Sequence, residues 1–278
     1  SKPYSFKSRP WELTKTETFD VFLADGTSNG DWTCGVVASD SEGSSDTKSA
    51  QVSIQSDGPC HAIQLTSQDA SIGLNQEGFG INSSDWTFEF WIRLDNLFPH
   101  GGGTNLFCQN ESYAAYAFRH HIPTGGDNEN KVVCSTYNNT SGSHNLGAPS
   151  EFINDGEWHH IACNYTNGVL TVYTDGIAGE TTTGAPVLYA TSNMSIGNPS
   201  GYSGYQSASV SLGPIRFSNM ARYNGDFSPS LDWSVDSNTI AQYLVNNGFN
   251  GSTLIDEAGG NNNGTHRQDV ISVGACDD

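Results

Sequence analysis

The clearest alternation of apolar and polar positions in the chain runs from Asp85 to Asp95. Trp86, Phe88, Phe90, Ile92 and Leu94 occupy every second position, so an extended strand turns all five to one face. Thr87, Glu89 and Arg93 take the other face, with Trp91 as the one large apolar side chain among them. Burying one large apolar side chain is worth roughly 1.5–3 kcal/mol. The stretch therefore predicts the centre of a packed sheet whose partners the other β segments must supply.

Those segments follow in order. Thr18–Leu23 reads as a strand, and Asp25-Gly26 and Asn29-Gly30 as turns. Trp32, Cys34, Val36 and Ala38 alternate inward, Ser39–Gly43 turns, and Ala50–Ile54 is a further strand. Gln55–Pro59 is a linker, after which Cys60–Leu65 predicts an edge-like strand. Leu97–Thr104 is a loop with three consecutive glycines, flanked by His100 and Asn105. Short strands are expected at Asn105–Gln109, Tyr116–His120 and Lys131–Tyr137, and Asn138–Gly156 reads as polar and irregular. Asn154–Tyr165 and Val169–Gly176 flank an Asn167-Gly168 turn, which predicts a hairpin, and Asp175-Gly176 begins another turn. Met194–Gly197 precedes a loop over Asn198–Gln206, and Val210–Ser218 is a strand leading out through Asn219–Tyr223. Thr239–Val245 predicts a returning strand and Leu254–Thr265 a capping loop. No segment carries a long 3.6-residue period. The chain is all-β.

Charge narrows the partners. Eleven Lys and Arg stand against 30 Asp and Glu, a net charge of −19 over 278 residues. Nucleic acid is excluded as a partner, because there is no basic surface to displace its counterions. Such a charge suits a solvated surface, cation binding or life in salt water. No apolar run is long enough to span a membrane, so membrane insertion is not expected. With no signal peptide and no initial Met, the chain reads as a mature protein or a piece of a longer one.

The six cysteines (34, 60, 108, 134, 163 and 276) form no Cys-x-x-Cys pair and no finger-like spacing with His, which points to disulfides in an oxidising compartment. Cys60 and Cys276 could staple the ends of the main domain. Cys134 and Cys163 lie on strands that could be neighbours, with Cys108 a competitor for either. Sequon-like triplets at Asn82, Asn110, Asn138, Asn164, Asn193, Asn250 and Asn263 carry little weight in so Asn-rich a chain. His120-His121 and His159-His160 are adjacent pairs, and adjacent strand residues point to opposite faces, so neither pair chelates jointly. His160 is expected to pack with Trp158, and His159 to lie on the other side. No Gly-x-Ser-x-Gly elbow or phosphate loop is present.

Three features together resemble the laminin-G-like, or concanavalin A-like, jelly-roll superfamily, which also contains the pentraxins. They are Trp86–Ile92, then Asp155–Ala162 with Leu170–Gly176, and finally Gly213–Tyr223 running to Phe227-Ser-Pro229. The resemblance covers residues 60–270. It implies two antiparallel sheets packed face to face, with a ligand groove and loops at the rim. Residues 31–54 resemble the last two strands of immunoglobulin-like repeats in bacterial surface proteins, without the early strand that usually supplies the partner of such a Cys. The expected division is an immunoglobulin-like stalk region over 1–58 and the jelly roll over 59–278. Relatives commonly carry an acidic pair, often helping to hold calcium, where Gly213-Pro214 stands here.

The superfamily's glucanases use acids alternating along one strand, and a retaining pair needs its carboxyls roughly 5–5.5 Å apart. Glu89 and Asp95 are too far apart along a strand, and Asp155 and Glu157 sit in a turn, so no catalytic residue is assigned. Glycan binding needs aromatic faces with amides and carboxylates held on loops. The candidates are Tyr137, Asn138 and His144 in one loop and Asn198, Tyr202 and Tyr205 in another. Calcium, the expected cation, would take Asp69, Asp85, Asp127, Asn128 and Glu129. These readings point to a non-catalytic extracellular module that binds a cell-surface or environmental glycan. The alternatives are a structural subunit of a fibre, coat or phage particle contacting its neighbours, and a glycoside hydrolase with displaced acids.

Overall fold

The computed structural model describes residues 30–39, 45–54, 59, 61–67, 69–77, 85–97, 104–109, 118–122, 131–138, 143–147, 153, 155–183, 193–197, 208–245, 249 and 252–273. The chain divides into two units, Ser1–Ile54 and Gln55–Asp278. In the first, β1 (Gly30–Ser39) and β2 (Ser45–Ile54) pair antiparallel, with Trp32 opposite Val52 and Cys34 opposite Ala50. The expected strand at Thr18–Leu23 lies outside the described residues, as do Cys60 and Cys276.

The second unit is a sandwich of two antiparallel sheets. The first sheet runs β12 (Ile177–Thr183), β11 (Val169–Thr174), β10 (Trp158–Thr166), β5 (Asp85–Leu97), β14 (Ala208–Ser218), β3 (Ala62–Leu65) and β18 (Val270–Val273), and β15 (Thr239–Tyr243) also pairs with β14. The second runs β16 (Thr253–Leu254), β17 (Gly264–Gln268), β4 (Ser71–Glu77), β13 (Asn193–Gly197), β6 (Thr104–Gln109), β7 (Phe118–Ile122), β8 (Val133–Asn138) and β9 (Ser143–Gly147).

The organising strand is β5, paired on both sides by β10 and β14. Trp86, Phe88, Phe90 and Ile92 are fully buried, and Leu94 is 5% exposed. Phe107 of the second sheet meets Phe88 edge-on at 4.5 Å and Phe90 at 4.8 Å, and Trp86 stacks on Tyr165 at 5.5 Å. Offset and edge-on aromatic pairs add stabilisation beyond the area they bury. Across the same core, Cys134 of β8 is bonded to Cys163 of β10, so a buried disulfide ties the two sheets together.

Two turns set the β10–β11–β12 register. Asn167 and Gly168, then Asp175 and Gly176, all have positive φ, the signature of two-residue turns that match the twist of a hairpin. At Gly213-Pro214 the register of β14 against β5 shifts, and there β14 exchanges partners, from β3 upstream to β15 downstream. A Cβ on Gly213 would overlap the ring of Pro59. The departure from an acidic pair at this place thus has a packing reason: the segment that opens the domain lies against the bulge.

Several expectations need correction. Cys60–Leu65 was expected at an edge, but β3 lies between β14 and β18, and β18 is the edge of the sheet. The polar stretch 138–156 contains a strand, β9, paired with β8. The strands β4, β12, β17 and β18 have no forerunner in the hydrophobic pattern. Each is short, rich in Gly, Thr, Ser or Gln, or half-exposed, and such strands lack the period that betrays a core face. Among the described residues, no helix is long and apolar enough to cross a membrane.

The disulfide closes a segment with a sequence separation of 29. Chain-entropy arguments put the stabilisation from such a loop at about 3–4 kcal/mol. A Cys134→Ala/Cys163→Ala variant is expected to lose that much in urea denaturation. An unchanged midpoint would mean that the two cysteines are not joined in the folded protein.

Candidate functional site

The outward face of the first sheet carries the second half of the β5 pattern, and it too is covered. Thr87 and Glu89 are fully buried and Trp91 is 8% exposed, because the segment 219–238 folds back over them. Glu89 Oε1 accepts Arg216 Nε–H at 2.8 Å and lies 2.7 Å from its Nη2. Glu89 Oε2 accepts the Tyr223 hydroxyl at 2.6 Å and sits 3.2 Å from His160 Nε2. The Arg216 guanidinium lies over the Trp233 ring at 4.7 Å. His160 shares the outward face of β10 with Trp158, and its ring neighbours come from other elements. It is walled by Trp91 at 5.4 Å, Phe227 at 5.7 Å and Trp233 at 5.8 Å, while Trp158 lies under Arg93.

Burial alone would push the Glu89 carboxyl up. The His160 hydrogen bond, the Arg216 charge and the Tyr223 hydroxyl outweigh it, so the group is held below its ordinary value and stays ionised. Tyr223 is pushed well up, first by burial and then by the Glu89 charge, and keeps its proton. Glu89 is therefore a saturated structural anion rather than a reactive acid.

Segment 219–238 is anchored at its N-terminal end by a buried polar knot. The Arg222 N–H lies 2.9 Å from Thr87 Oγ1 and 3.1 Å from Asn164 Oδ1, and Asn164 Nδ2 donates to the Tyr223 carbonyl at 2.8 Å. The Thr87 hydroxyl lies 2.7 Å from Asn164 Oδ1 and 2.8 Å from the Met220 carbonyl. The Arg222 guanidinium grips Asp236 with two contacts of 3.0 Å and holds that carboxyl far below its usual value. Asn164, first residue of a sequon-like triplet, is 3% exposed and occupied by these bonds.

His159 lies on the opposite face of β10 from His160, as the alternation requires. Its Nδ1 is 2.7 Å from Asp175 Oδ2 and its Nε2 is 2.9 Å from Asp155 Oδ1. Asp175 Oδ1 also accepts the His160 N–H at 2.8 Å, and Asp155 Oδ1 accepts the Glu157 N–H at 2.9 Å. Both ring nitrogens thus face carboxylates, and the imidazolium is raised to about 9, chiefly by the Asp175 hydrogen bond against the opposing effect of burial. One cation staples the turn before β10 to the turn after β11.

The expected binding residues fall partly within this frame. Backbone register sets Tyr137 opposite His144 and Asn138 opposite Ser143 on the β8–β9 hairpin, the outer edge of the second sheet. Asn198, Tyr202 and Tyr205, with Asp127, Asn128 and Glu129, lie outside the described residues, as does His100. Asp85 and Asp69 do not come together. Asp85 accepts from the Thr166 hydroxyl and the Asn167 N–H at the start of β5. Asp69 lies in the turn after β3, whose Leu65 aligns through Val210 with Leu94. At about 3.3 Å per residue the two are about 30 Å apart along the sheet. Among the described residues, no three His, Cys, Asp or Glu side chains are grouped to hold a metal ion. Arg216, Tyr223 and Trp233 were not singled out in the sequence. The available signal was one Arg within the apolar strand Val210–Ser218, facing a Glu in an equally apolar strand.

A two-layer antiparallel sandwich with this β5–β10–β14 centre defines a concanavalin A-like class of β protein, and the sequence agrees. Residues 61–223 match the family model described as the concanavalin A-like lectin/glucanases superfamily, and the chain belongs to that superfamily. No curated protein sequence matches it. Among solved structures, the fold is similar to that of a proposed carbohydrate binding protein from Bacteroides ovatus, with a TM-score of 0.56 and 13% identity over 90% of this chain and 71% of that one. Weaker likenesses include a heptameric SAP-like pentraxin from Limulus polyphemus (TM-score 0.40, 16% identity, 59% of this chain and 71% of that one). Another is domain 4 of an extracellular arabinanase from Geobacillus stearothermophilus in complex with arabinotriose (TM-score 0.39, 15% identity, 64% and 74%).

Two outcomes follow from these contacts. Glu89→Gln is expected to lower unfolding free energy by about 3–5 kcal/mol, because Arg216 is left as an uncompensated buried charge. Adding Arg216→Met should recover most of that loss in the same urea titration, and additive losses would show that the pair is not coupled. The second concerns pH. A histidine raised from 6.5 to about 9 contributes stability that is complete below pH 6.5 and fades as pH rises towards 9. Its partners are partly exposed, so the loss is discounted to roughly 1–2 kcal/mol. His159→Gln should be less stable at pH 6 and should flatten this slope. A wild-type stability that rises from pH 6.5 to 9 would contradict the staple.

Proposed function

We propose that the chain is a non-catalytic glycan-binding module of a secreted or cell-surface protein. The observation that carries this reading is the state of Glu89. In a superfamily of lectins and glucanases, the carboxyl at the middle of the central strand is buried, ionised and bonded at both oxygens. It neither reaches a substrate nor exchanges a proton in the working range, which supports binding rather than catalysis at this position. The carbohydrate-binding role proposed for the Bacteroides ovatus structure supports the same direction, and the buried disulfide suits an oxidising compartment. On this reading the glycan meets the edge where Tyr137, Asn138 and His144 share a hairpin, with the loop of Asn198, Tyr202 and Tyr205 as a second contact. Asp127, Asn128 and Glu129 are the proposed calcium ligands, and residues 1–58 the proposed immunoglobulin-like stalk.

A broad glycan array, probed with and without calcium, tests the module. Binding is expected at micromolar to millimolar ligand, and Tyr137→Ala with His144→Ala should weaken it at least about tenfold with unchanged thermal melting. Silence across the array at millimolar ligand, in both calcium conditions, sinks the proposal. If calcium is bound, calcium at a hundred times its Kd raises stability by about 2.7 kcal/mol over a chelator.

A further inference from the structure

The charge of the sandwich and the way the fold uses its cations bear on which ligands its surface can take. Residues 55–278 contain 22 of the 30 acids and only six bases, Arg93, Arg119, Lys131, Arg216, Arg222 and Arg267, a net charge of −16. Half of those bases already serve the fold. Arg216 is buried against Glu89, Arg222 is clamped by Asp236, and the Arg93 guanidinium stands 5.2 Å over the Trp158 ring. The protonated His159 lies between two carboxylates.

The carboxylates are distributed the other way. Only Glu89 and Asp256 are buried among the described acids, and each is saturated by donors. Asp155, Glu157, Glu180, Asp226, Asp232 and Glu257 are exposed. Among the described residues only one base, Arg267, is exposed, against ten exposed carboxylates, so the surface is dominated by anions. In chelator, without a bound cation to bridge to the acid, recognition of a sugar carboxylate or sulfate rests on the protein's own side chains and calls for the reverse, exposed guanidinium forks that pair with the anion. It would also work against a field that, with a Debye length of about 20 Å near 20 mM salt, extends well beyond the surface.

We infer that the ligand is an uncharged glycan, and that sialylated, sulfated or uronate-rich glycans are rejected by electrostatic repulsion. The inference rests on the glycan-binding reading above and adds the ligand's charge class to it. Selectivity of this origin is a long-range effect and must fade with salt, whereas a steric mismatch does not.

The test sets neutral oligosaccharides beside their sulfated and uronic-acid counterparts, with the whole chain, in chelator, at 20 mM and 500 mM ionic strength. Neutral ligands are expected to change affinity less than about twofold between the two salts. Their acidic counterparts should bind at least about tenfold more weakly at 20 mM, with the gap closing to within about threefold at 500 mM. A Glu180→Lys/Asp232→Lys variant, altered at exposed positions that bear no part of the buried network, should narrow the low-salt gap while melting like wild type. Preferential binding of acidic glycans at low salt overturns the inference and leaves the glycan reading standing. Rejection of acidic glycans to the same degree at both salts also overturns it, by assigning selectivity to shape. If no glycan binds in chelator, the inference fails; if none binds with calcium either, the underlying reading fails as well.

Discussion

A carboxylate taken out of water has to be surrounded by donors, and the second unit is arranged around one such group. Glu89 sits at the middle of β5 with its neighbours Phe88 and Phe90 committed to the core, so the strand cannot roll to expose it. Its charge therefore dictates what lies above. Arg216 arrives from β14, His160 from β10 and Tyr223 from the segment that crosses the sheet. β10 and the β14 stretch that runs on to Tyr223 are both distant from β5 in sequence, and together they supply donors to both oxygens. The apolar face of β5 drives the sheets together, and its polar face selects which elements cover the outside.

This division of labour explains which part of the molecule was legible in the sequence. The core face of β5 was plain because period two with large apolar residues has one reading. The β10–β11 hairpin was equally plain from Asn167-Gly168, since both residues take the positive φ that a two-residue turn demands. The outer layer was hidden. Thr87 and Glu89 look like solvent-facing residues in any alternating strand, and nothing local reveals that Tyr223, Phe227 and Trp233 return to roof them. The same holds for His159 and His160, whose opposite faces follow from alternation while their partners Asp155, Asp175 and Glu89 come from tertiary structure.

The edges were harder for a different reason. Strands such as β12 and β9 are recruited by a sheet that already exists, so their own residues need only tolerate extension. Ile177–Thr183 is largely polar and partly exposed, with no buried face to imprint a pattern. β3 was misplaced at an edge because the strand that covers it, β18, comes about two hundred residues later. Of the candidate binding residues, Tyr137 and His144 occupy opposite register positions on the β8–β9 hairpin. Asp69 and Asp85 share only their residue type, and the sheet separates them.

The central claim is that the middle of the first sheet is sealed, and carboxyl footprinting examines it directly. Native protein would be treated with a carbodiimide and glycine ethyl ester near neutral pH, then digested and read by mass spectrometry. A sealed, ionised Glu89 predicts no label there while Glu180, Asp226 and Asp232 react, with Glu89 becoming reactive only in denaturant. Labelling of Glu89 in the folded protein at a rate comparable to those surface acids would show an open carboxyl, and would contradict the binding-only reading at its source.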